Sequence, residues 1–245
     1  MFIIPMAGLS KRFTLAGYDQ PKYMLDAHNK SLFEHAMLSF KKYFESESFL
    51  FICLDVKETK KFIESKCITL GIKNFDVIVL EEPTLGQAET VYLGLIKANV
   101  PGSTPITIFN IDTFRPGFEF ATNFDWSKTD GYLETFIGEG DNWSNIVPKS
   151  KGDFTVELTA EKKQVSKYCC TGLYHWERAE DFIKIFINYR KKDIKDVDGS
   201  EYYIAPMYND LISMGKTVNY SIVPRTEVIF CGVPQEYIEF LDNKI

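Results

Sequence analysis

A glycine, a serine hydroxyl and two cations lie within residues 6–13, M-A-G-L-S-K-R-F. A loop at Gly8 can offer backbone N–H groups to an anion, and the Ser10 hydroxyl can donate a further hydrogen bond. The planar guanidinium of Arg12 suits a phosphate group. The segment lacks both the G-x-G-x-x-G dinucleotide pattern and the Walker pattern G-x-x-x-x-G-K-[ST]. On these residues alone, an anion-binding loop and an exposed strand-to-helix turn are equally good interpretations.

Two further charged residues could belong to the same site. Lys22 lies between Pro21 and an aromatic–aliphatic run, and the stiff backbone at the proline could aim its ammonium into the cleft. A lone lysine, however, is more often a surface residue. Asp112 follows an apolar strand, and α/β folds bind ligands at the carboxyl ends of strands. Strand-end aspartates also cap turns, so the structural interpretation stays open for Asp112.

The elements that must position these residues alternate between strand and helix in the first half. Strands are predicted over residues 2–6, 49–53, 75–80 and 106–110, and helices over residues 31–44, 57–70 and 87–98. Ser31 and Glu34 form a capping-box pattern, and Gly71 is a stop signal. This alternation predicts a mostly parallel central sheet flanked by helices.

After Asp112 the pattern changes to strands joined by polar stretches, which predicts a smaller antiparallel addition. Strands are predicted over residues 130–136, 154–158, 169–176 and 218–223, a short apolar run lies at 228–231, and helices are predicted over residues 179–189, 202–214 and 235–241. Trp143 lies in a polar loop, where it could pack on a ligand or close the loop. No linker separates independent domains, so we predict one α/β domain over residues 1–245.

Composition excludes several classes of protein. Lys plus Arg number 28 and Asp plus Glu 34, for a net charge of −6, and the absence of a basic surplus argues against nucleic-acid binding. No apolar run approaches the roughly 20 residues of a membrane span. The 5 cysteines form no C-x-x-C pair, which argues against a disulfide framework and a zinc site. We therefore expect a cytoplasmic protein.

The order of several sequence blocks resembles the nucleotidyltransferases that activate sugar phosphates and related phospho-compounds. The blocks are A-G-L-S-K-R-F (7–13), P-K-Y-M-L (21–25), E-P-T-L-G-Q-A-E-T (82–90), F-N-I-D (109–112), and A-E-K-K (160–163) with T-G-L-Y (171–174). The first two follow the family pattern A-G-x-G-x-R-[LMF] and then P-K-x-[LM]. The resemblance implies a single Rossmann-like nucleotidyltransferase domain, with a nucleotide-binding half over 1–112 and an acceptor-binding half over 113–245.

The resemblance also implies roles for the matching residues. Arg12 and Lys22 would be catalytic, and Asp112 would hold Mg²⁺. The nucleotide would be bound by Ala7, Gly8, Leu9, Ser10, Lys11, Gly86, Gln87 and Glu89, and the acceptor by Lys162, Thr171 and Gly172. The implied partners are a nucleoside triphosphate, with CTP, UTP or dTTP favoured, and a sugar phosphate or phosphocholine-like acceptor. By analogy, the pathway would be capsule or other cell-surface polysaccharide synthesis.

Four features depart from the family pattern. Asp112 follows Asn-Ile, whereas the family more commonly has Gly or Ala there. Ser10 replaces the second glycine, and Lys163 stands where the family often has proline. Phe230 stands where the family often places a second metal-ligating Asp or Asn, and phenylalanine cannot ligate a metal. Either the second ligand comes from elsewhere, such as Glu227, or the metal is held mainly by Asp112 and the phosphates.

Two other functions are also compatible with the sequence. A glycosyltransferase of similar architecture would usually carry an Asp-x-Asp motif, whereas N-I-D (110–112) has one carboxylate, and Arg12 and Lys22 would lack a role. A non-catalytic nucleotide-sensing module would explain the missing second metal ligand. The joint presence of Arg12, Lys22, Asp112 and Lys162 argues against it.

Overall fold

The computed structural model describes residues 1–196 and 201–242. Its strands are β1 (Phe2–Met6), β2 (Asp26–Ala27), β3 (Lys30–Ser31), β4 (Ser48–Leu54), β5 (Asn74–Leu80), β6 (Ile106–Phe109), β7 (Thr113–Phe114), β8 (Gly131–Ile137), β9 (Ser144–Pro148), β10 (Val156–Glu161), β11 (Tyr168–Trp176), β12 (Val218–Val223) and β13 (Ile229–Phe230). Its helices are α1 (Lys11–Leu15), α2 (Leu32–Leu38), α3 (Thr59–Leu70), α4 (Gln87–Lys97), α5 (Ala179–Tyr189), α6 (Met207–Ser213) and α7 (Pro234–Asp242).

One mixed sheet of 9 strands runs through the described residues. Its order is β10-β9-β11-β6-β1-β4-β5, and β8 pairs with β11 and carries β12. The pairs β1–β4, β1–β6 and β4–β5 are parallel, whereas β11 is antiparallel to β6, β8 and β9. The predicted α/β fold, with a parallel centre and an antiparallel addition, is confirmed. The addition is not uniformly antiparallel, because β12 runs parallel to β8.

Helices cover both faces of the sheet, which is why the central strands are apolar on both sides. Side chains alternate along β1, so that Ile3 packs with helices α4, α5 and α6 while Phe2 and Ile4 pack with α2, α3 and α7. The second core is rich in aromatic rings; Phe2, for example, stacks on Phe49 with 5.1 Å between the ring centroids. These two cores fix the strand ends from which the site is built.

The predicted helix signals at α2 and α3 are confirmed. The Glu34 backbone N–H donates to Ser31 Oγ, and the Glu34 carboxylate accepts from the Ser31 backbone N–H at 2.8 Å, which completes the capping box. Gly71 ends α3 in the left-handed region, at φ 81°. Helix α2 ends earlier than predicted, at Leu38, and a separate 3₁₀ turn follows over Lys41–Tyr43.

Sequence periodicity is wrong at two places in the second half. Strand β9 was not predicted, because polar side chains begin it and a proline ends it. A helix was predicted over 202–214, but α6 spans Met207–Ser213. Residues before Pro206 instead follow an irregular path, because the backbone of Tyr202 bonds to the turn that precedes α4. Within the described residues, no helix combines the length and the apolar character that crossing a bilayer requires.

Candidate active site

The cleft lies where one edge of β11 passes from β9 to β6. The start of β11 pairs with β9 at Tyr168 and Cys169, and its end pairs with β6 from Leu173 to Trp176. Residues 170–172 lie between these two pairings and face the segment that follows β6. Strand β1 adjoins β6, so the loop after β1 reaches the same edge. Open α/β sheets bind ligands in such a crevice.

The loop after β1 presents free donors to this crevice. Ala7 is buried at the end of the strand, whereas Gly8 and Leu9 are exposed. Within the described chain, the backbone N–H groups of residues 8–10 have no protein acceptor. Lys11 and Arg12 are exposed and, within the same residues, form no ion pair. The loop can therefore bind an anion through both amides and cations.

The backbone conformation of Ser10 explains why the family pattern has a glycine at this position. It adopts φ 51° and ψ 32°, in the left-handed region that a Cβ atom disfavours. Its Oγ accepts a hydrogen bond of 3.3 Å from the backbone N–H of Lys22. The hydroxyl thus connects the loop to the segment that carries the lysine, and its hydrogen remains able to bond an anion.

Lys22 and Asp112 form an ion pair at the centre of the cleft. Lys22 Nζ donates to Asp112 Oδ2, and the two side chains are 20% and 22% exposed. The backbone oxygen of Asp112 accepts from Cys231 N–H at 2.8 Å, which joins the residue to the antiparallel pair β7–β13. A Cβ atom built on Gly232 would lie 3.1 Å from Asp112 Oδ2, so a side chain there would crowd the carboxylate.

The turn before α4 is held by a distant segment. A Cβ atom on Gly86, whose φ is +143°, would lie 2.5 Å from the backbone nitrogen of Tyr202. Tyr202 N–H donates to Leu85 O at 2.8 Å, and Tyr202 O accepts from Ala88 N–H at 2.9 Å. Glu89 Oε2 accepts from Leu85 N–H at 2.6 Å. One carboxylate oxygen of Glu89 therefore supports the turn.

Asn110 connects this turn to the acceptor-side strand. Its Oδ1 accepts a hydrogen bond from Gln87 Nε2. Its backbone N–H donates to Gly172 O at 3.3 Å, and a Cβ atom on Gly172 would lie 2.5 Å from Asn110 Nδ2. Gly172 has a φ of +97°, so both backbone conformation and close approach require glycine here. Sequence reasoning considered Asn110 as a missing carboxylate and gave it no site role.

Lys162 directly follows β10 and has a strained conformation, at φ 48°. Its Nζ donates to the Tyr203 hydroxyl and lies 4.5 Å from the centre of that ring. Burial raises the pKa of the Tyr203 phenol, although the hydrogen bond from Lys162 opposes the shift. The phenol is therefore neutral at pH 7, and the Lys162 charge stays available for an anionic ligand.

Comparison with known proteins identifies the family. No protein-family model and no curated protein matches the chain. The structure is similar to the nucleoside-diphosphate-sugar pyrophosphorylase from Vibrio cholerae RC9, with a TM-score of 0.93 and 49% sequence identity over 99% of this chain and 100% of that one. The chain belongs to the nucleotidyltransferase family.

More distant structures share the fold of this nucleotidyltransferase. A putative glucose-1-phosphate thymidylyltransferase from Bacillus anthracis has a TM-score of 0.72 and 16% identity, over 100% of this chain and 96% of that one. The inositol-1-phosphate CTP transferase from T. maritima has a TM-score of 0.71 and 14% identity, over 98% and 94%. The resemblance seen in the sequence is thereby confirmed at the level of the family, an enzyme family that transfers phosphorus-containing groups.

Thr171 of the nucleotidyltransferase faces a buried ion pair. Its hydroxyl donates to Glu134 Oε1 at 3.0 Å, and Glu134 also accepts from Arg115 Nε at 2.8 Å and Nη2 at 3.1 Å. Burial alone would lower the pKa of Arg115, but the hydrogen bond and charge of Glu134 outweigh it and raise the pKa. The Thr171 side chain is therefore buried, and its hydroxyl donates to the interior ion pair.

The carboxylate considered as a second metal ligand has another partner. Glu227 Oε2 and its backbone oxygen accept from Arg115 Nη1 at 3.2 Å and 3.1 Å. Phe230 packs its ring on Trp143, with 4.5 Å between centroids. In the described part of the chain, no group of three or more His, Cys, Asp or Glu side chains could hold a metal ion. Mg²⁺ commonly takes one or two protein carboxylates and completes its shell with phosphates and water, so Asp112 fits that ion.

Proposed function

We propose that the chain transfers a nucleoside monophosphate from a nucleoside triphosphate to a phosphorylated small molecule and releases pyrophosphate. One observation carries the proposal: the loop after β1, with its free backbone donors, is hydrogen-bonded through Ser10 Oγ to the backbone of Lys22, whose side chain pairs with Asp112. Lys162 supplies an unpaired cation from the acceptor half. The relative from Vibrio cholerae RC9 is named a nucleoside-diphosphate-sugar pyrophosphorylase, which favours a sugar phosphate as acceptor.

The reaction joins two anions, so positioning and charge neutralisation supply most of the catalysis. An oxygen of the acceptor phosphate attacks the α-phosphorus, and the bond from that phosphorus to the bridging oxygen breaks. Pyrophosphate leaves with the electron pair. No protein nucleophile is needed, because the attacking oxygen already carries negative charge.

Each cation has a defined place in this step. Arg12 and the amides of residues 8–10 bind the triphosphate, Lys22 neutralises charge at the α-phosphate, and Lys162 orients the acceptor phosphate. Asp112 would hold Mg²⁺, whose charge would offset that of the phosphates. Gln87, at the start of α4, is suited to a base edge, and we favour CTP, UTP or dTTP.

The cellular setting follows by analogy. Activated sugars feed the assembly of surface polysaccharides, and we propose capsule or related envelope synthesis in the cytoplasm as the setting. This extension depends on the acceptor, which the following assay identifies.

The test is pyrophosphate release with Mg²⁺, each common nucleoside triphosphate and a panel of phospho-acceptors. We expect pyrophosphate with one nucleotide and acceptor together and with neither alone. A glycosyltransferase would instead release a nucleoside diphosphate from a nucleotide sugar, and a sensing module would bind nucleotide without turnover. Either result would replace the proposed function.

A further inference from the structure

An exposed guanidinium lies against a group of aromatic rings in the second half of the chain. Arg225 Cζ lies 4.8 Å from the ring centre of Phe230 and 5.5 Å from that of Phe136. Trp143 packs on the same two rings, with centroids 4.5 Å and 5.2 Å away. We call Phe136, Trp143 and Phe230 the aromatic wall. The wall holds the arginine side chain in place through its ring faces.

Arg225 has no acidic partner among the described residues. Glu227, two positions further along the chain, pairs with Arg115 instead. Arg225 donates from Nη1 to Val228 O at 2.6 Å. Its other N–H groups lie in the guanidinium plane, along its edge. A stacked guanidinium keeps this edge available, and the edge has the geometry that binds a carboxylate through two hydrogen bonds.

The aromatic wall adjoins both the metal-side and the acceptor-side groups of the cleft. Phe230 pairs with Thr113, the residue after Asp112. The backbone oxygen of Trp143 accepts from Lys162 N–H at 3.1 Å. The wall therefore contacts the backbone of Lys162 through Trp143 and the side chain of Arg225 through Phe136 and Phe230. Neither cation forms an ion pair within the residues described. A ligand whose sole anionic group is a phosphate would pair with one of the two.

We propose that Arg225 binds a carboxylate of the acceptor, so that the substrate is a phosphorylated acid such as a sugar acid phosphate or a phosphorylated amino acid. This inference rests on the proposed nucleotidyl transfer and specifies its acceptor. Lys162 binds the phosphate, the partly exposed rings of Trp143 and Phe230 pack on the carbon chain between the two anions, and Arg225 binds the carboxylate. A neutral sugar phosphate would leave Arg225 without a partner.

Matched acceptors that differ by one carboxylate test the inference. O-phosphoserine is compared with phosphoethanolamine, and glucuronic acid 1-phosphate with glucose 1-phosphate, by pyrophosphate release. We expect the acid of at least one pair to have a kcat/KM about tenfold higher, the scale of one charged hydrogen-bonded contact. Arg225→Gln should remove this preference, chiefly through KM for the acid, and Arg225→Lys should restore part of it.

A second arginine provides the control. Arg190 is also exposed and lies 5.6 Å from an aromatic ring, that of Tyr92, at the end of α5. Arg190→Gln should leave the ratio between acid and neutral acceptors unchanged, and thermal melts should show that both variants fold. Equal loss for acid and neutral acceptors in Arg225→Gln would overturn the inference while leaving the proposed function intact.

Calorimetric titration of the same four compounds provides a readout that needs no turnover. We expect the acid of the preferred pair to bind more tightly than its neutral partner, and Arg225→Gln to abolish the difference. Acid binding that does not depend on Arg225, or no binding of either acid, would contradict the inference. Failure of the whole panel of nucleoside triphosphates and phospho-acceptors to release pyrophosphate would instead contradict the proposed function.

Discussion

Arg12 is exposed in the loop after β1 and forms no ion pair with the described residues. If it neutralises triphosphate oxygens in the transition state, Arg12→Ala should lower kcat/KM by about two to four orders of magnitude, the scale of one preorganised stabiliser. Arg12→Lys should recover little, because an ammonium cannot reproduce the two-pronged contact. Steady-state kinetics measure both, and near-normal turnover of the alanine variant would remove Arg12 from the site.

Ser10 allows a stability test at a single backbone position. Ser10→Gly relieves the left-handed strain and also removes the hydroxyl that accepts from Lys22 N–H, so the matched comparison is Ser10→Ala. We expect the glycine variant to be more stable than the alanine variant by about 0.5–1 kcal/mol, since left-handed strain costs more than glycine flexibility. Urea denaturation measures the difference. Equal stability of the two variants would mean that the position is not strained.

At the scale of single residues, the sequence indicated which side chains belong to the candidate site better than it indicated their hydrogen-bond partners. Residue types and order indicated Arg12, Lys22 and Asp112, and the structure places Lys22 against Asp112. The partners of Glu89 and Thr171 were not foreseeable, because these contacts depend on backbone geometry in the turn before α4 and on a buried arginine. The roles of these residues toward ligands stay predictions.

A buried ion pair connects Arg115, which directly follows β7, to Glu134 in β8. Their side chains are 4% and 1% exposed. Glu134→Gln removes the buried counter-ion of Arg115 and leaves it paired with the half-exposed Glu227, and we expect a loss of about 3–5 kcal/mol in unfolding free energy. Glu227 contacts the same arginine but is 52% exposed, so Glu227→Gln should cost under about 1 kcal/mol. Chemical denaturation compares them, and similar losses would refute the assigned difference.

The turn before α4 should be sensitive to its contact with the Tyr202 backbone. Gly86→Ala places a Cβ atom 2.5 Å from Tyr202 N, whereas Gly140→Ala has the same kind of positive φ, +103°, with nothing within 4 Å. Both variants carry backbone strain, but we expect Gly86→Ala alone to weaken nucleotide binding, by about tenfold or more, because it displaces Gln87. Nucleotide titration measures this, and equal affinities in the two variants would contradict it.

Elements with one strong signal were predicted well, and elements held by distant contacts were not. Strand β1 matches its predicted bounds because every residue from Phe2 to Met6 is apolar and the strand is covered on both faces. Residues 202–206 were predicted as helix, and their path is set by bonds to Leu85 and Ala88 more than 100 positions away. Local periodicity carries no information about such bonds.

At the scale of the whole molecule, strand order creates the site. Strand β1 lies between β4 and β6. The chain therefore adds β4 and β5 on one side of β1 and then adds β6 on the other side. The loops after β1 and β6 therefore flank one crevice, and β11 closes it from the far side. The predicted alternation of strands and helices indicated this crevice, while the shared edge of β11 with β9 and β6 was visible from the structure alone.

The role of Asp112 as the magnesium anchor is the central claim, and one measurement tests it directly. Pyrophosphate release is followed against Mg²⁺ concentration for the unchanged protein and for Asp112→Asn, which keeps the shape of the side chain and removes its charge. We predict that the variant needs at least about tenfold more Mg²⁺ for half-maximal activity while still binding nucleotide through Arg12 and Lys22. A variant with an unchanged Mg²⁺ curve and merely a shifted melting temperature would contradict the account.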